Sequence, residues 1–483
     1  MGRHLTLLLP ALLTLGCPTN NGTDPPNNRL FFPIAAALHR PTASAPPDLL
    51  YVVNANFDLQ YNGSTVTAVD LGALNMRFDS ARAYRVAQLA CAARGEQSCA
   101  LPVLPADCAN ALRGYDGVVC DDARAGVGTP LLRTAITRKV NPYAVDAAIG
   151  MYPPNGASPT QRLYVLVRGG NSLLWLDVRP DGALECGART PDDQPGSDPN
   201  AVHAYCDDSH ASGGGSLAID PSALSVDPQR GWIVVTHQST DTTSPRATLF
   251  YDDIERPLDQ NPRPRLLNAV GGLAPGLSSL VFLQGASASR STWIATSRTA
   301  PVFTTLQAYA GTPTLNDNRV FLYRASEAPV TGLLSGTDSR AIVLDPRNGQ
   351  RAYVTSRRPE ALVSVDVSNP ATPVVTDAIP LPGGPSRLAA VNDTVNRRTV
   401  VYTISYDARW IYAVDPAQRQ VIAQIPSGRG PHAVVHDDAR GLLYVLDFLD
   451  AAVEVIDVNP TRDGAANPTY NRRVLTFGRP GRS

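Results

Sequence analysis

The chain has 483 residues, 42 Lys and Arg against 43 Asp and Glu, and a formal net charge of −1, with 18% of residues charged. That balance leaves no basic stripe for nucleic acid and no charge run for an electrostatic membrane surface. The 42 prolines and 37 glycines fit many turns between short strands.

The N-terminus reads as a targeting segment. Arg3 and His4 precede an apolar run over residues 5–15, too short to span a bilayer as a helix. The run ends in Thr14-Leu15-Gly16-Cys17, which resembles the lipobox of bacterial lipoproteins; Gly16 and Cys17 match it and Thr14 departs from its usual aliphatic residue. The resemblance implies a signal peptide over 1–16, acylation of Cys17, and a lipid-anchored place in the bacterial cell envelope, at the outer membrane on its periplasmic or surface face. Residues 17–28 are rich in Pro, Thr, Asn, Gly and Asp, too polar to pack, and read as a flexible tether. The folded body is then 29–483.

A spacing recurs along that body. Tyr164, Tyr353, Tyr402 and Tyr444 each open a short apolar strand, and Asp177, Asp366, Asp415 and Asp457 follow thirteen residues later. Around Tyr444 the full unit is legible. Ala433-Val434-Val435 precedes the turn Asp437-Asp438-Ala439-Arg440-Gly441. Then come Leu442-Leu443-Tyr444-Val445, Val453-Glu454-Val455-Ile456-Asp457, and Arg473-Val474-Leu475-Thr476-Phe477. Four strands separated by turns make one propeller blade. Asp345-Pro346-Arg347-Asn348-Gly349 and Asp227-Pro228-Gln229-Arg230-Gly231 repeat the first turn, in which Asp bonds backbone amides and Gly takes a positive φ.

Second strands recur seven times, from Leu50-Tyr51-Val52-Val53 to Leu443-Tyr444-Val445-Leu446, so the expected fold is all-β: a seven-bladed β-propeller of four-stranded antiparallel blades. The third strand of blade 4 is expected at Val320-Phe321-Leu322-Tyr323. Phe31-Phe32-Pro33-Ile34-Ala35 starts blade 1 and Arg473–Phe477 ends blade 7, so side-chain packing seals the ring without strand exchange.

Two insertions break the pattern. Residues 72–128 fall between the third strand of blade 1 and its fourth, expected at Leu132-Arg133-Thr134-Ala135-Ile136; within the insertion, 81–94 and 106–113 read as short helices. Residues 186–215 are Asp-, Gly- and Ser-rich and read as a loop. Without Cys17 six cysteines remain: Cys91, Cys99, Cys108 and Cys120 in the first insertion, Cys186 and Cys206 in the second. An even number in an oxidising compartment implies three disulfides, paired locally within each group, with Cys186–Cys206 closing the second loop.

Tyr353-Val354-Thr355-Ser356 and Tyr51-Val52-Val53-Asn54, with Leu362-Val363-Ser364-Val365-Asp366 and Val453-Glu454-Val455-Ile456-Asp457, resemble the repeats of YVTN-type β-propeller proteins of bacterial surfaces. The likeness is good over 339–457, weaker over 50–177 and absent over 72–128. It speaks for fold and is nearly silent on activity. The repeated Tyr and Asp read as packing and turn residues.

His203, Cys206 and His210, with Asp207 and Asp208 between them, have metal-ligand types, but a cystine sulfur is a poor ligand and Cys186 is a ready partner. Asp207-Asp208 and Asp252-Asp253 offer oxygen ligands for calcium without the alternating pattern of a dedicated loop. No other cofactor is indicated. The best candidate site is positional. The residue entering each first strand faces the central channel, and aligning the repeats puts Tyr143, Ser222, Ser279, Arg340, Arg387 and His432 there. Guanidinium forks suit an anionic ligand, and His432 offers a base or a metal ligand. The reading is a lipid-anchored envelope module that binds or scaffolds a protein or glycan partner. The alternative is an enzyme at the channel mouth, a lactonase-like hydrolase or a cofactor-dependent dehydrogenase.

Overall fold

The computed structural model describes residues 23–96, 98–110, 117–120, 130–152, 160–186, 205–206, 210–212, 217–252, 264–283, 290–310, 320–330 and 338–478. Cys17, His203, Asp207, Asp208 and Asp253 lie outside them. Seven sheets with antiparallel four-stranded blades stand in chain order; blades 2 to 6 are built from consecutive strands, and blades 1 and 7 are interrupted by other strands. Blade 5 is typical, with strands Ser339–Asp345, Asn348–Arg357, Glu360–Asp366 and Val374–Pro380. Second strands such as Leu442–Asp447 are buried at every residue, because both faces pack against neighbouring blades. Fourth strands such as Val374–Pro380 lie at the rim and are partly exposed.

The repeat residues hold the blades together. Tyr353 donates to Asp345 at 2.8 Å and Tyr444 to Asp437 at 3.0 Å, each linking the second strand to the end of the first. The aspartate thirteen residues on ends the third strand: Asp457 accepts from Asn467 at 2.8 Å and Thr469 at 2.7 Å, and Asp366 from the amide of Ser368 at 2.9 Å. The Asp-x-x-x-Gly turn uses its glycine in blades 3 and 7, where Gly231 and Gly441 have φ of 65° and 62°. Blade 5 departs from this, since its second strand already begins at Asn348, one residue before Gly349.

Three expected elements are placed differently. The third strand of blade 4 is Val302–Ala310, and Val320–Pro329 is the fourth. In blade 1, Leu132 makes an isolated bridge to Val69, a 3-10 turn covers Thr134–Ile136, and the fourth strand is Arg138–Val140. Among its described residues the insertion carries one helix, Leu71–Ala93, started by Asp70, whose side chain accepts from the Ala73 amide at 2.9 Å. Residues 108–110 form a strand rather than part of a second helix.

That strand also corrects the expected seam. Val118–Cys120 pairs in parallel with Arg472–Gly478, the last strand of blade 7, and Cys108–Asn110 pairs antiparallel with it in turn. Blade 7 thus becomes a six-stranded sheet completed by a segment inserted in blade 1. Leu71, Leu74 and Phe78 of the helix share one core with Leu50 of blade 1 and Leu475 and Phe477 of blade 7. The ring is therefore clasped by backbone hydrogen bonds as well as packing. The disulfides are Cys91–Cys99, Cys108–Cys120 and Cys186–Cys206.

Candidate functional site

Every first strand begins with a register shift against its second strand. In blade 3 Pro221 faces His237 and Ala223 faces Thr236, leaving Ser222 between them; in blade 7 Pro431 faces Asp447 and Ala433 faces Leu446, leaving His432. The same bulge frees Ile34, Val145, Ser278, Arg340 and Ser386 in the other blades. A bulge turns one extra side chain out of the pleat, and all seven line one cavity of about 420 Å³.

A second ring stands on the first. The residue that follows the last paired position of each second strand also lines the cavity: Ala55, Arg168 and Gln238 in blades 1 to 3, Arg298 and Arg357 in blades 4 and 5, Tyr406 and Phe448 in blades 6 and 7. The alignment of first strands alone missed this ring. Its signal was present, since each of these residues sits four positions after the repeat tyrosine or its equivalent.

Of the residues expected at the mouth, Tyr143, Ser222, Arg340, Arg387 and His432 are brought together. Ser279 is not; the bulge substitutes Ser278. Tyr143 and Arg387 lie one or two residues off the bulge and still reach the cavity.

Some ring residues serve the ring itself. Ser222 donates to the carbonyl of Leu277 at 2.8 Å and Ser278 to that of Ser339 at 2.7 Å, each reaching the next blade. His432 repeats this contact across the seam, with Nδ1 3.1 Å from the carbonyl oxygen of Ile34. Burial, and then the charge of Arg387, push the His432 imidazole down to about 4, the bond to Ile34 opposing them in part.

The cavity is chemically divided. Arg168, Arg298, Arg340, Arg357 and Arg387 line one part. Arg168 is ion-paired with Asp220, Arg357 with Asp407, and Arg340 with Asp338, which also lies 3.8 Å from Arg298. Burial and the neighbouring guanidiniums push Arg298 and Arg357 below the usual arginine range, Arg340 being the largest like charge on each. Arg387 has no hydrogen bond or ion pair among the described residues; its charge is felt by His432 and by Asp146, whose carboxyl burial pushes up. The other part is aromatic. Phe57 stands edge-on to Tyr143 at 6.2 Å and to Phe448 at 5.6 Å, and Phe448 lies 5.8 Å from His432, which meets Tyr406 at 6.4 Å.

Tyr143 holds a left-handed backbone, φ 61°, at the corner before its first strand, where blades 4, 6 and 7 use Gly276, Gly384 and Gly430. A bulky residue there carries strain of about 1–3 kcal/mol, a cost that clusters at functional positions.

The other candidates are otherwise engaged. Cys206 is bonded to Cys186, and His210 stacks on Trp175 at 5.0 Å. Asp252 is fully buried and accepts from Arg162 at 2.7 Å and from Tyr164. Cys91, Glu96 and Cys99 group metal-ligand types, with both sulfurs in one disulfide.

The sequence matches no protein-family model and no curated protein, so the YVTN resemblance rests on the quoted residues alone. Solved structures are similar in fold. Hydrazine synthase from Kuenenia stuttgartiensis is 13% identical with a TM-score of 0.48, over 91% of this chain and 98% of that one. AztD from Citrobacter koseri is 12% identical with a TM-score of 0.41, over 92% and 89%. A putative 6-phosphogluconolactonase from Bacteroides uniformis is 14% identical with a TM-score of 0.37, over 66% and 79%. By its own topology the chain is a seven-bladed β-propeller with four-stranded blades, extended at its seam by a disulfide-stapled insertion.

Proposed function

We propose that the protein is a binding module of the bacterial cell envelope whose ligand site is the axial cavity. The observation that carries this reading is the division of the cavity into five arginines and an aromatic wall, within a volume of about 420 Å³. That size and mixture suit a small organic anion, since pockets of roughly 300–1,000 Å³ take small molecules and guanidinium forks take carboxylates or phosphates. A protein or glycan partner would instead engage the outer faces, where the described residues supply no comparable convergence of groups.

Binding is favoured over catalysis at this mouth by His432. An imidazole held near 4 is neutral at pH 7 but a weak proton acceptor, poorly matched to general-base work there.

The test is a thermal-shift screen of small anions, neutral compounds, glycans and peptides on the wild type and on an Arg340→Gln/Arg387→Gln variant. Anions are expected to raise the wild-type Tm, as ligands that bind only the folded state do, and to lose that effect in the variant. Equal shifts in both proteins, or stabilisation by glycans or peptides alone, would refute the axial site. Anchoring through Cys17 belongs to the same reading. Cys17→Ser is expected to move the protein into the soluble fraction of the native host; persistent membrane association counts against the lipid.

A further inference from the structure

Resting on the axial-cavity reading, we propose that the ligand is a small organic monocarboxylate with an aromatic or branched aliphatic body. Its carboxylate sits on Arg387, and its body lies against Phe57, Tyr143 and Phe448.

The charge comes from an inventory of the cavity. Five guanidiniums face it, and three carboxylates, Asp220, Asp338 and Asp407, are ion-paired with them. Arg298 and Arg340 share Asp338, so four of the five guanidiniums have a carboxylate beside them. Arg387 is the arginine without an ion pair or hydrogen bond among the described residues, and Asp146 acts on it only at a distance. A ligand with one negative charge meets this residual field; a polyanion would need Asp220, Asp338 or Asp407 displaced. A carboxylate presents two coplanar oxygens to the guanidinium fork, which rewards planar bidentate contact.

The body comes from the aromatic wall. His432 is where the two parts meet, since it feels the charge of Arg387 and packs against Phe448 and Tyr406. From Phe448 the rings continue to Phe57 and Tyr143. Phe57 is 59% exposed and lines the cavity, so an apolar surface stands open beside the unpaired cation. Tyr143 keeps its ring there in a backbone conformation that blades 4, 6 and 7 give to glycine and blade 3 to Asp220. Phe32 occupies the equivalent corner of blade 1, φ 46°, and backs Phe448 at 5.1 Å. Two bulky residues at left-handed corners thus support one wall, and strained backbone of this kind clusters at functional positions.

The experiment is isothermal titration of the purified protein with phenylacetate, 4-methylpentanoate, acetate, phenylacetamide and phenyl phosphate. Phenylacetate and 4-methylpentanoate are expected to bind, with acetate and phenylacetamide each weaker by about tenfold or more. Arg387→Gln is expected to remove the preference for phenylacetate over phenylacetamide, and Arg387→Lys to recover part of it. Phe57→Ala, at an exposed ring, is expected to weaken phenylacetate and leave acetate unchanged. Equal binding of phenylacetamide, tighter binding of phenyl phosphate, or no binding by any compound overturns the monocarboxylate. If phenyl phosphate or another class binds and loses affinity in Arg387→Gln, the axial site stands while this ligand class falls. If phenylacetate binds both proteins alike, both readings fall.

Discussion

The Nδ1 atom of His432 lies 3.1 Å from the carbonyl oxygen of Ile34, so one hydrogen bond joins the last blade to the first and sets the tautomer of a cavity histidine. A carbonyl oxygen only accepts, so Nδ1 carries the proton in the neutral ring and Nε2 keeps its lone pair. Ser222 and Ser278 make the same blade-to-blade bond with a hydroxyl.

Burial of that imidazole gives a pH prediction. The folded pKa of His432 is about 4, below the ordinary 6.5, with burial as the largest cause. Between those values the unfolded chain holds more protons, so this contribution is fully present above pH 6.5 and is lost as pH falls toward 4. The slope is up to about 1.4 kcal/mol per pH unit. His432→Gln is expected to show a shallower fall in urea stability from pH 6.5 to 4.5 than the wild type. His237, Asp146 and Asp447 also titrate abnormally, but they are common to both proteins and cancel in the comparison. Parallel curves would show that His432 does not carry this linkage.

The clasp gives a second prediction. Cys108–Cys120 staples the hairpin that pairs with the last strand of blade 7, and Cys120 is fully buried in the seam core. Replacing both cysteines with serine is expected to cost about 2–4 kcal/mol in denaturant. Cys91–Cys99, at the partly exposed end of the helix, should matter less. Equal losses from the two replacements would mean that the clasp has no special part in closing the ring.

A third concerns charge buried in blade 7. Arg473 is 3% exposed and ion-paired with Glu454, which is wholly buried and also accepts from Ser427 at 2.9 Å. Next to them Asp447 is pushed well above the usual carboxylate range, by burial first and then by Glu454 and Asp450. Arg473→Met leaves these carboxylates uncompensated and is expected to cost about 3–5 kcal/mol. Adding Glu454→Gln should restore part of the loss. A single-variant cost under about 1 kcal/mol would contradict the burial argument.

Tyr143 separates strain from binding. Tyr143→Gly removes a left-handed side chain and is expected to leave Tm unchanged or raised, whereas removing a relaxed tyrosine lowers it. The same variant should bind phenylacetate more weakly. A lower Tm with unchanged binding would assign Tyr143 to the fold alone.

Seven second strands were legible because each is a short apolar run buried on both faces, which no surface element shares. The grouping of the cysteines and the Cys186–Cys206 bond were legible because those cysteines are close in sequence, whereas the pairing among Cys91, Cys99, Cys108 and Cys120 came from the structure. Weakly apolar outer strands were not: the fourth strand of blade 1 carries Arg138 and Lys139, and the sequence pattern put it at Leu132–Ile136 instead. Ser279 was placed at the mouth because a bulge leaves no trace in an apolar pattern, though it moves the channel position by one residue.

By itself the sequence determined the blade and its number, since local alternation and turn chemistry are written in neighbouring residues. The tertiary structure decided the rest. Val118–Cys120 finds its partner strand at the far end of the chain, and no local pattern names a partner that distant. The repeat alignment placed Arg387 and His432 at the mouth, but only the convergence of seven blades on one axis leaves that arginine without an ion pair among the described residues and holds that imidazole neutral. Pairing and desolvation belong to that convergence, not to any segment of the chain.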